Sequence, residues 1–274
     1  MGNGIRQFGY CPIRGISAFF NHTGITSRIN GFSKLYAGKW TGCGKLAIRI
    51  VTETTGFDIL SQNGSLSDLG VIIVDKNQIS TRSKQIIAAV NHLLTGRTTP
   101  LVMSLDGGSG AGKSTLAAEL ASVLEAAVIS CDDFFDASIS DEEWDTCTAE
   151  QKCLRCIDWE RLRKEALTPL IAGREARYHP FSFTSGNGVA ASLVTKNPAP
   201  VIILDGIYSS LPVLSDVVHF TVLVDVTPEI RRERHNLREG SSDAAWHLRW
   251  DSAEDYYFST IRPPALFDLV VTNQ

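Results

Sequence analysis

The stretch from Pro100 to Leu124 constrains the fold more than any other part of the chain. Pro100–Leu105 ("PLVMSL") is a short apolar run suited to a buried parallel strand, and Ser114–Leu124 ("STLAAELASVL") carries apolar residues at helical spacing. Between them, Gly107-Gly108-Ser109-Gly110-Ala111-Gly112-Lys113-Ser114 fits G-x-x-x-x-G-K-[ST] without a gap, and Thr115 follows. Glycines let consecutive backbone N–H groups turn inward as a nest for anionic oxygens. The start of the helix adds unpaired donors and positive dipole charge. In such a loop Lys113 reaches the β- and γ-phosphates of a nucleotide, and the Ser114 hydroxyl ligates Mg²⁺. A glycine turn that binds nothing would not need Lys-Ser in register between a strand and a helix.

Four further apolar runs read as strands. "AAVISCDDFF" holds a β-leaning run at Ala126–Cys131 that ends in Asp132 and Asp133. "APVIILDGIY" supplies Val201–Leu204 before Asp205, and "HFTVLVDVTP" supplies Phe220–Val224 before Asp225. "LFDLVVTNQ" gives a last short strand, and helical patterns separate most of these runs. The expected architecture is α/β, a P-loop NTPase three-layer sandwich with a mainly parallel sheet. Ligands of such sheets gather beyond the carboxyl ends of the strands. That rule puts the loop, Asp132, Asp133, Asp205 and Asp225 on one edge.

Asp205, closing an apolar run, has the form of a carboxylate that holds Mg²⁺ with Ser114. Asp132 suits a second task, accepting the proton of a hydroxyl that attacks phosphorus. Adjacent acids point in different directions, so Asp133 is free to face substrate, metal or packing. Which of the two is the base is not decided by sequence, and either could instead cap a helix. "TPEIRRERHNLREG" places Arg231, Arg234 and Arg238 on one face of an expected helix. That face is either merely solvated or a helical lid whose arginines close over the triphosphate.

The chain has 274 residues with 43% hydrophobic content, enough for one sizeable α/β domain and an appendage. Net charge is −4, but residues 1–50 hold seven Lys and Arg and no acid, which leaves −11 for residues 51–274. An acidic body argues against nucleic acid as the main partner. No apolar run approaches membrane-spanning length. Six irregularly spaced cysteines suit free thiols in a reducing, cytoplasmic compartment. Cys153 and Cys156, with Cys147 nearby, lack the further ligands of a zinc site and are expected on a helix in "AEQKCLRCIDWERL".

Residues 1–80 read as a basic N-terminal extension, poorly ordered or an appendage, and residues 81–274 as the P-loop domain. Organellar targeting by this segment would call for an amphipathic helix, against which the nine glycines in residues 1–50 work. "MGNGIR" fails the myristoylation pattern at Arg6. "LGVIIVD" is a candidate extra edge strand, and "SKQIIAAVNHLL" a helix stopped by Gly96.

Together, "GGSGAGKST", "CDDFF", "IDWERL", "VIILDGIY", "RRERHNLREG" and "FDLVV" resemble, in order over about residues 98–272, the uridine kinase-like group of P-loop kinases. That group includes uridine, nicotinamide riboside and pantothenate kinases and phosphoribulokinase. The resemblance implies ATP and Mg²⁺ as cofactors, a small-molecule acceptor, Asp132 as acceptor-activating acid and Asp205 on the metal side. It also implies Arg234 and Arg238 as lid residues, and Asp158 near the acceptor's hydroxyls. The family's nucleoside-contacting Tyr-Asp-Phe-like segment has its counterpart in Phe181-Ser182-Phe183, which weighs against uridine or cytidine. Tyr178, His179 and Phe181 either line a substrate pocket or form the core of a hairpin with "VAASLVT". The expected activity is ATP-dependent phosphorylation of an alcohol on a small, nucleoside-like metabolite. The alternatives are a nonenzymatic nucleotide-binding regulator or another P-loop NTPase. A GTPase is disfavoured, since no N-K-x-D segment is found.

Overall fold

The computed structural model describes residues 79–182, 188–239 and 244–273, together with five short strands among the first 78 residues. It divides into two compact units, Met1–Ile79 and Ser80–Gln274.

In the first unit, β1 (Phe19–Asn21) pairs antiparallel with β2 (Gly24–Thr26). A second antiparallel sheet has the order β3 (Ala47–Ile48), β4 (Phe57–Leu60), β5 (Ile72–Asp75). The run "LGVIIVD" therefore does contain a strand, Ile72–Asp75, which is registered antiparallel against Phe57–Leu60 within this sheet. The other features read in residues 1–78 lie outside the described residues.

The second unit begins with α1 (Thr81–Leu94), capped by Ser80, whose hydroxyl accepts from the Ser83 N–H. Gly96 follows it with φ +75°, the left-handed conformation expected just past a helix end. Next come β6 (Leu101–Asp106), α2 (Lys113–Leu124) and β7 (Ala127–Ser130), then a 3₁₀ turn at Cys131–Phe134. A helical stretch follows: α3 (Asp141–Thr146), α4 (Ala149–Arg155), α5 (Trp159–Leu162) and, after a π turn, α6 (Thr168–Ile171). Two short antiparallel pairs form a hairpin, β8 (Ala176–Tyr178) with β11 (Val194–Lys196) and β9 (Phe181–Ser182) with β10 (Gly188–Val189). The unit closes with β12 (Val201–Asp205), β13 (Phe220–Asp225), α7 (Pro228–Glu239), α8 (Ala244–Tyr256) and β14 (Leu269–Thr272).

The sheet order is β14-β13-β6-β12-β7, and every neighbouring pair is parallel. Alternation along the central strands builds three layers. Leu101, Met103 and Leu105 of β6 and Val201 and Ile203 of β12 pack with Ile86 and Val90 of α1 and Leu116, Leu120 and Leu124 of α2. Val102, Ile202 and Leu204 face the other way, onto Trp144, Cys153, Trp159, Leu162 and Ala253. Strands buried on both faces read as continuous apolar runs, which is why "LVMSL" and "VIIL" were conspicuous in the sequence.

The helix expected to carry the cysteines of "AEQKCLRCIDWERL" is α4, with Cys153 inside it and Cys156 at its C-cap, and the chain then breaks at Ile157, which bridges to Phe135, before α5. Asp158 starts the second helix by accepting from the Arg161 N–H at 2.9 Å, while its own N–H donates to Phe134 O at 2.8 Å. This break ties the segment after β7 to the helical layer. Cys153 and Cys156 are buried in it as free thiols, and burial pushes the Cys153 thiol up to about 11. Among the described residues no cluster of His, Cys, Asp and Glu could hold a metal by itself.

Ser80 is also tied inside its own unit, its N–H and hydroxyl donating to the Glu119 carboxylate at 2.6 and 3.2 Å. Both cores are assembled from Ile86 onward among the described residues. A chain starting at Ser80 is therefore expected to fold and retain nucleotide binding. Cooperative melting and ATP titration of that chain check this; aggregation or lost binding would assign residues 1–79 to the functional unit.

Candidate active site

β6 delivers the chain to the sheet edge at Asp106, and α2 leaves from Lys113. Gly112 is the N-cap of α2 with φ +86°, a left-handed conformation that a side chain would strain. It provides no capping side chain, so the first N–H groups of α2 are not consumed by one. Thr115 lies in this first, exposed turn beside Ser114. Sequence reasoning gave Lys113 no partner except phosphate. The structure folds it back on the loop, Nζ donating to Gly107 O at 2.7 Å and Gly108 O at 3.0 Å. An ammonium on a flexible stem takes the nearest acceptors, and these loop carbonyls are within reach.

Asp106 was not singled out from sequence, yet it is the most heavily bonded acid in the site. It is fully buried and accepts from Gly107 N–H at 2.8 Å, Tyr208 N–H at 3.0 Å, Ser210 N–H at 3.0 Å and the Tyr257 hydroxyl at 2.7 Å. Burial raises its pKa, and the Tyr257, Gly107 and Ser210 hydrogen bonds and Lys113 oppose the rise. Tyr208 is held with φ +69°, an uncommon conformation for an aromatic residue. Asp106 thus locks the P-loop to the loop that follows β12. Its only sequence signal is an acid closing a buried strand, the same signal that drew attention to Asp205.

Asp205 closes β12, the strand next to β6, and is 7% exposed. Burial raises its pKa; Lys113 and a hydrogen bond from the Ser114 side chain pull it down, while Asp132 and Asp133 push it up. Its Oδ1 is buried with no hydrogen-bond partner. A buried carboxylate oxygen without a partner, beside a serine hydroxyl and other acids, is the donor set a hard divalent cation satisfies. Ser114 and Asp205 therefore fit Mg²⁺.

The two acids after β7 diverge as expected. Asp132 is exposed. Asp133 is half-buried and accepts from the Tyr178 hydroxyl at 3.0 Å; burial raises its pKa, with Tyr178, Lys196 and Arg161 opposing. Asp225 closes β13 on the same edge.

The ring residues of the hairpin divide. Tyr178 is 1% exposed with its ring 4.6 Å from that of Phe134, and Phe181 is buried with its ring 5.1 Å from that of Phe135. Packing accounts for both rings, and the hydroxyl of Tyr178 is what reaches Asp133. His179 is exposed and bonds across the hairpin, Nδ1 lying 3.1 Å from Ala190 O and 3.0 Å from Ser192 O. Phe183 lies outside the described residues. Asp158 spends one oxygen on its helix cap. Arg161 draws these pieces together, donating to Asp133 O at 2.8 Å and His179 O at 2.9 Å.

Of the lid arginines, Arg234 donates to Asn273 O at 3.0 Å, and Asn273 in turn donates to Ala111 O in the P-loop at 2.7 Å. The side chain of Arg238 is not among the described ones. Arg231 lies nearest the loop, ion-paired with Glu254 of α8, a residue that sequence reasoning missed. Nothing local in "SAEDYY" distinguishes Glu254 from its acidic neighbour; 145 positions separate it from Ser109, whose N–H it accepts at 3.0 Å.

An all-parallel five-stranded sheet with a G-x-x-x-x-G-K-S loop at its central strand, and helices on both faces, defines a P-loop fold. No family model matches the chain. A solved structure from Silicibacter sp. TM1040, a candidate fructose transport system kinase, shares the fold with a TM-score of 0.52 at 21% identity, covering 70% of this chain and 99% of that one. A possible uridine kinase from Bacillus stearothermophilus gives a TM-score of 0.49 at 20% identity, covering 68% and 98%. In sequence the chain is 28% identical over 184 residues to uridine-cytidine kinase C of Dictyostelium discoideum. That match covers 64% of this chain and 39% of the relative's length. The chain resembles the uridine kinase-like kinases in sequence and has a P-loop kinase fold. Among the described residues no helix is long and apolar enough to cross a membrane.

Proposed function

We propose that the chain is an ATP-dependent kinase that transfers the γ-phosphate to a hydroxyl of a small metabolite, nucleoside-like acceptors being the first to test. The observation that supports this reading is the difference in burial among the strand-end acids. Asp205, next to the P-loop strand, is buried against Ser114, whereas Asp132, one strand further out, is exposed. One acid suits a cation and the other an incoming substrate.

In this mechanism the P-loop N–H groups at the start of α2, from Gly112 to Thr115, and the Lys113 ammonium hold the β- and γ-phosphates. Mg²⁺, held by Ser114 and Asp205, would neutralise charge on the same phosphate oxygens. Asp132 accepts the proton of the acceptor hydroxyl as its oxygen bonds to the γ-phosphorus, and the bond to the β–γ bridging oxygen breaks to release ADP. Asp133, fixed by Tyr178, together with Asp158 and His179, lines the acceptor side. Arg234, and Arg238 further along α7, complete the lid that excludes water.

A screen of nucleosides, vitamins and sugar phosphates for acceptor-dependent ADP release tests the reading, with GTP competition alongside. Nucleotide binding with no acceptor-dependent ADP release would favour the regulator. Asp205→Asn is expected to raise the Mg²⁺ concentration needed for half-maximal turnover by about an order of magnitude, because a metal-side charge is lost. A magnesium titration of turnover in both proteins checks it, and an unchanged requirement would remove Asp205 from the metal site.

A further inference from the structure

Glu254 lies where an anion is expected. It is 4% exposed, and its Oε1 accepts the N–H of Ser109, the third residue of the P-loop. Its Oε2 is ion-paired with the Arg231 guanidinium. Burial raises its pKa, with Arg231 the foremost opposing influence and Lys113 also opposing. Arg231 is pressed onto the same loop: a Cβ at Gly108 would collide with its guanidinium, and one at Gly110 with its carbonyl. The Ser109 hydroxyl lies 3.2 Å from His235 Nδ1, so α7 and α8 both rest on Gly108–Gly110.

From this geometry we propose that Glu254 is an internal surrogate for nucleotide phosphate, an autoinhibitory latch that leaves the loop when a triphosphate seats. The proposal rests on the nucleotide-binding reading above. A P-loop presents N–H donors and cations to anionic oxygens, and here a carboxylate already takes one donor and the nearest arginine. A triphosphate brings like charge to the same place, and two anions at contact distance are not both held in a low-dielectric site. Displacing Glu254 frees the Ser109 N–H and hands Arg231 to the phosphates. A second set of contacts between the two helices, Arg232 to Asp251 at 2.5 Å and Asn236 Oδ1 to His247 Nε2 at 3.3 Å, keeps α7 against α8 when the first is lost.

The test is calorimetric titration of the full chain and Glu254→Gln with MgATP and, separately, with inorganic tripolyphosphate. Glutamine keeps the volume and removes the charge, so both ligands are expected to bind about 10-fold tighter, the scale of one charge-assisted hydrogen bond. Equal or weaker binding by the variant overturns the latch while leaving nucleotide binding intact, and identifies Glu254 as a scaffold for the loop. Failure of both proteins to bind either ligand overturns the nucleotide reading and the latch together. Should the variant not fold, carbodiimide labelling of Glu254 in the unaltered chain decides. Labelling is expected to rise several-fold at saturating tripolyphosphate, and unchanged or reduced labelling with ligand bound overturns the proposal.

Discussion

Lys113→Ala is expected to abolish phosphoryl transfer, lowering turnover on the order of 10³-fold or more, the scale seen when a donor aimed at transition-state charge is removed. ATP affinity falls with it, because the same ammonium meets the bound β- and γ-phosphates. The fold should survive. Lys113 is half-buried and its own partners are two loop carbonyls, Gly107 O and Gly108 O, which water can satisfy in its place. The melting temperature is therefore expected to stay near that of the unaltered protein. Acceptor-dependent ADP release, ATP titration and a thermal melt together check the prediction, and turnover at the original rate would sink the kinase assignment.

Asp132→Asn is expected to slow transfer by about 10²–10⁴-fold, the range typical of general-base catalysis. The substitution keeps size and hydrogen-bonding reach but removes the group that takes the acceptor's proton. ATP affinity and the magnesium requirement should hardly change, since Asp132 is exposed and directed away from the loop's own donors in this reading. Asp133→Asn is the control that separates the neighbours. Asp133 is engaged by the Tyr178 hydroxyl and faces Lys196 and Arg161, so its loss should act on acceptor KM more than on kcat. If Asp133→Asn carries the large kcat defect and Asp132→Asn does not, the base is Asp133. If Asp132→Asn shows the magnesium defect and Asp205→Asn only slow chemistry, those two roles are exchanged. If neither slows transfer, the proposed mechanism is wrong.

What the sequence by itself determined is local. Strand, glycine loop and helix follow from residues within a few positions of one another, because backbone conformation and the direction of the N–H groups are set there. The strand-end acids were legible for the same reason: an apolar run buried on both faces ends where a carboxylate can meet solvent or an ion. The divergence of Asp132 and Asp133 required only that consecutive side chains point apart. The tertiary structure decided the rest. It gave Ile72–Asp75 the antiparallel partner Phe57–Leu60, since strand partners depend on chain path. It ended the cysteine-bearing helix before Ile157, which bridges to Phe135 across a separation that no local pattern reveals. It assigned the rings of Tyr178 and Phe181 to packing, a choice for which pattern alone offered even alternatives. Above all, it brought Tyr257 to Asp106 across 151 positions and Glu254 to Ser109 across 145. Such contacts join groups that share no local signal, because burial makes a carboxylate seek whichever donor or cation the fold brings within reach.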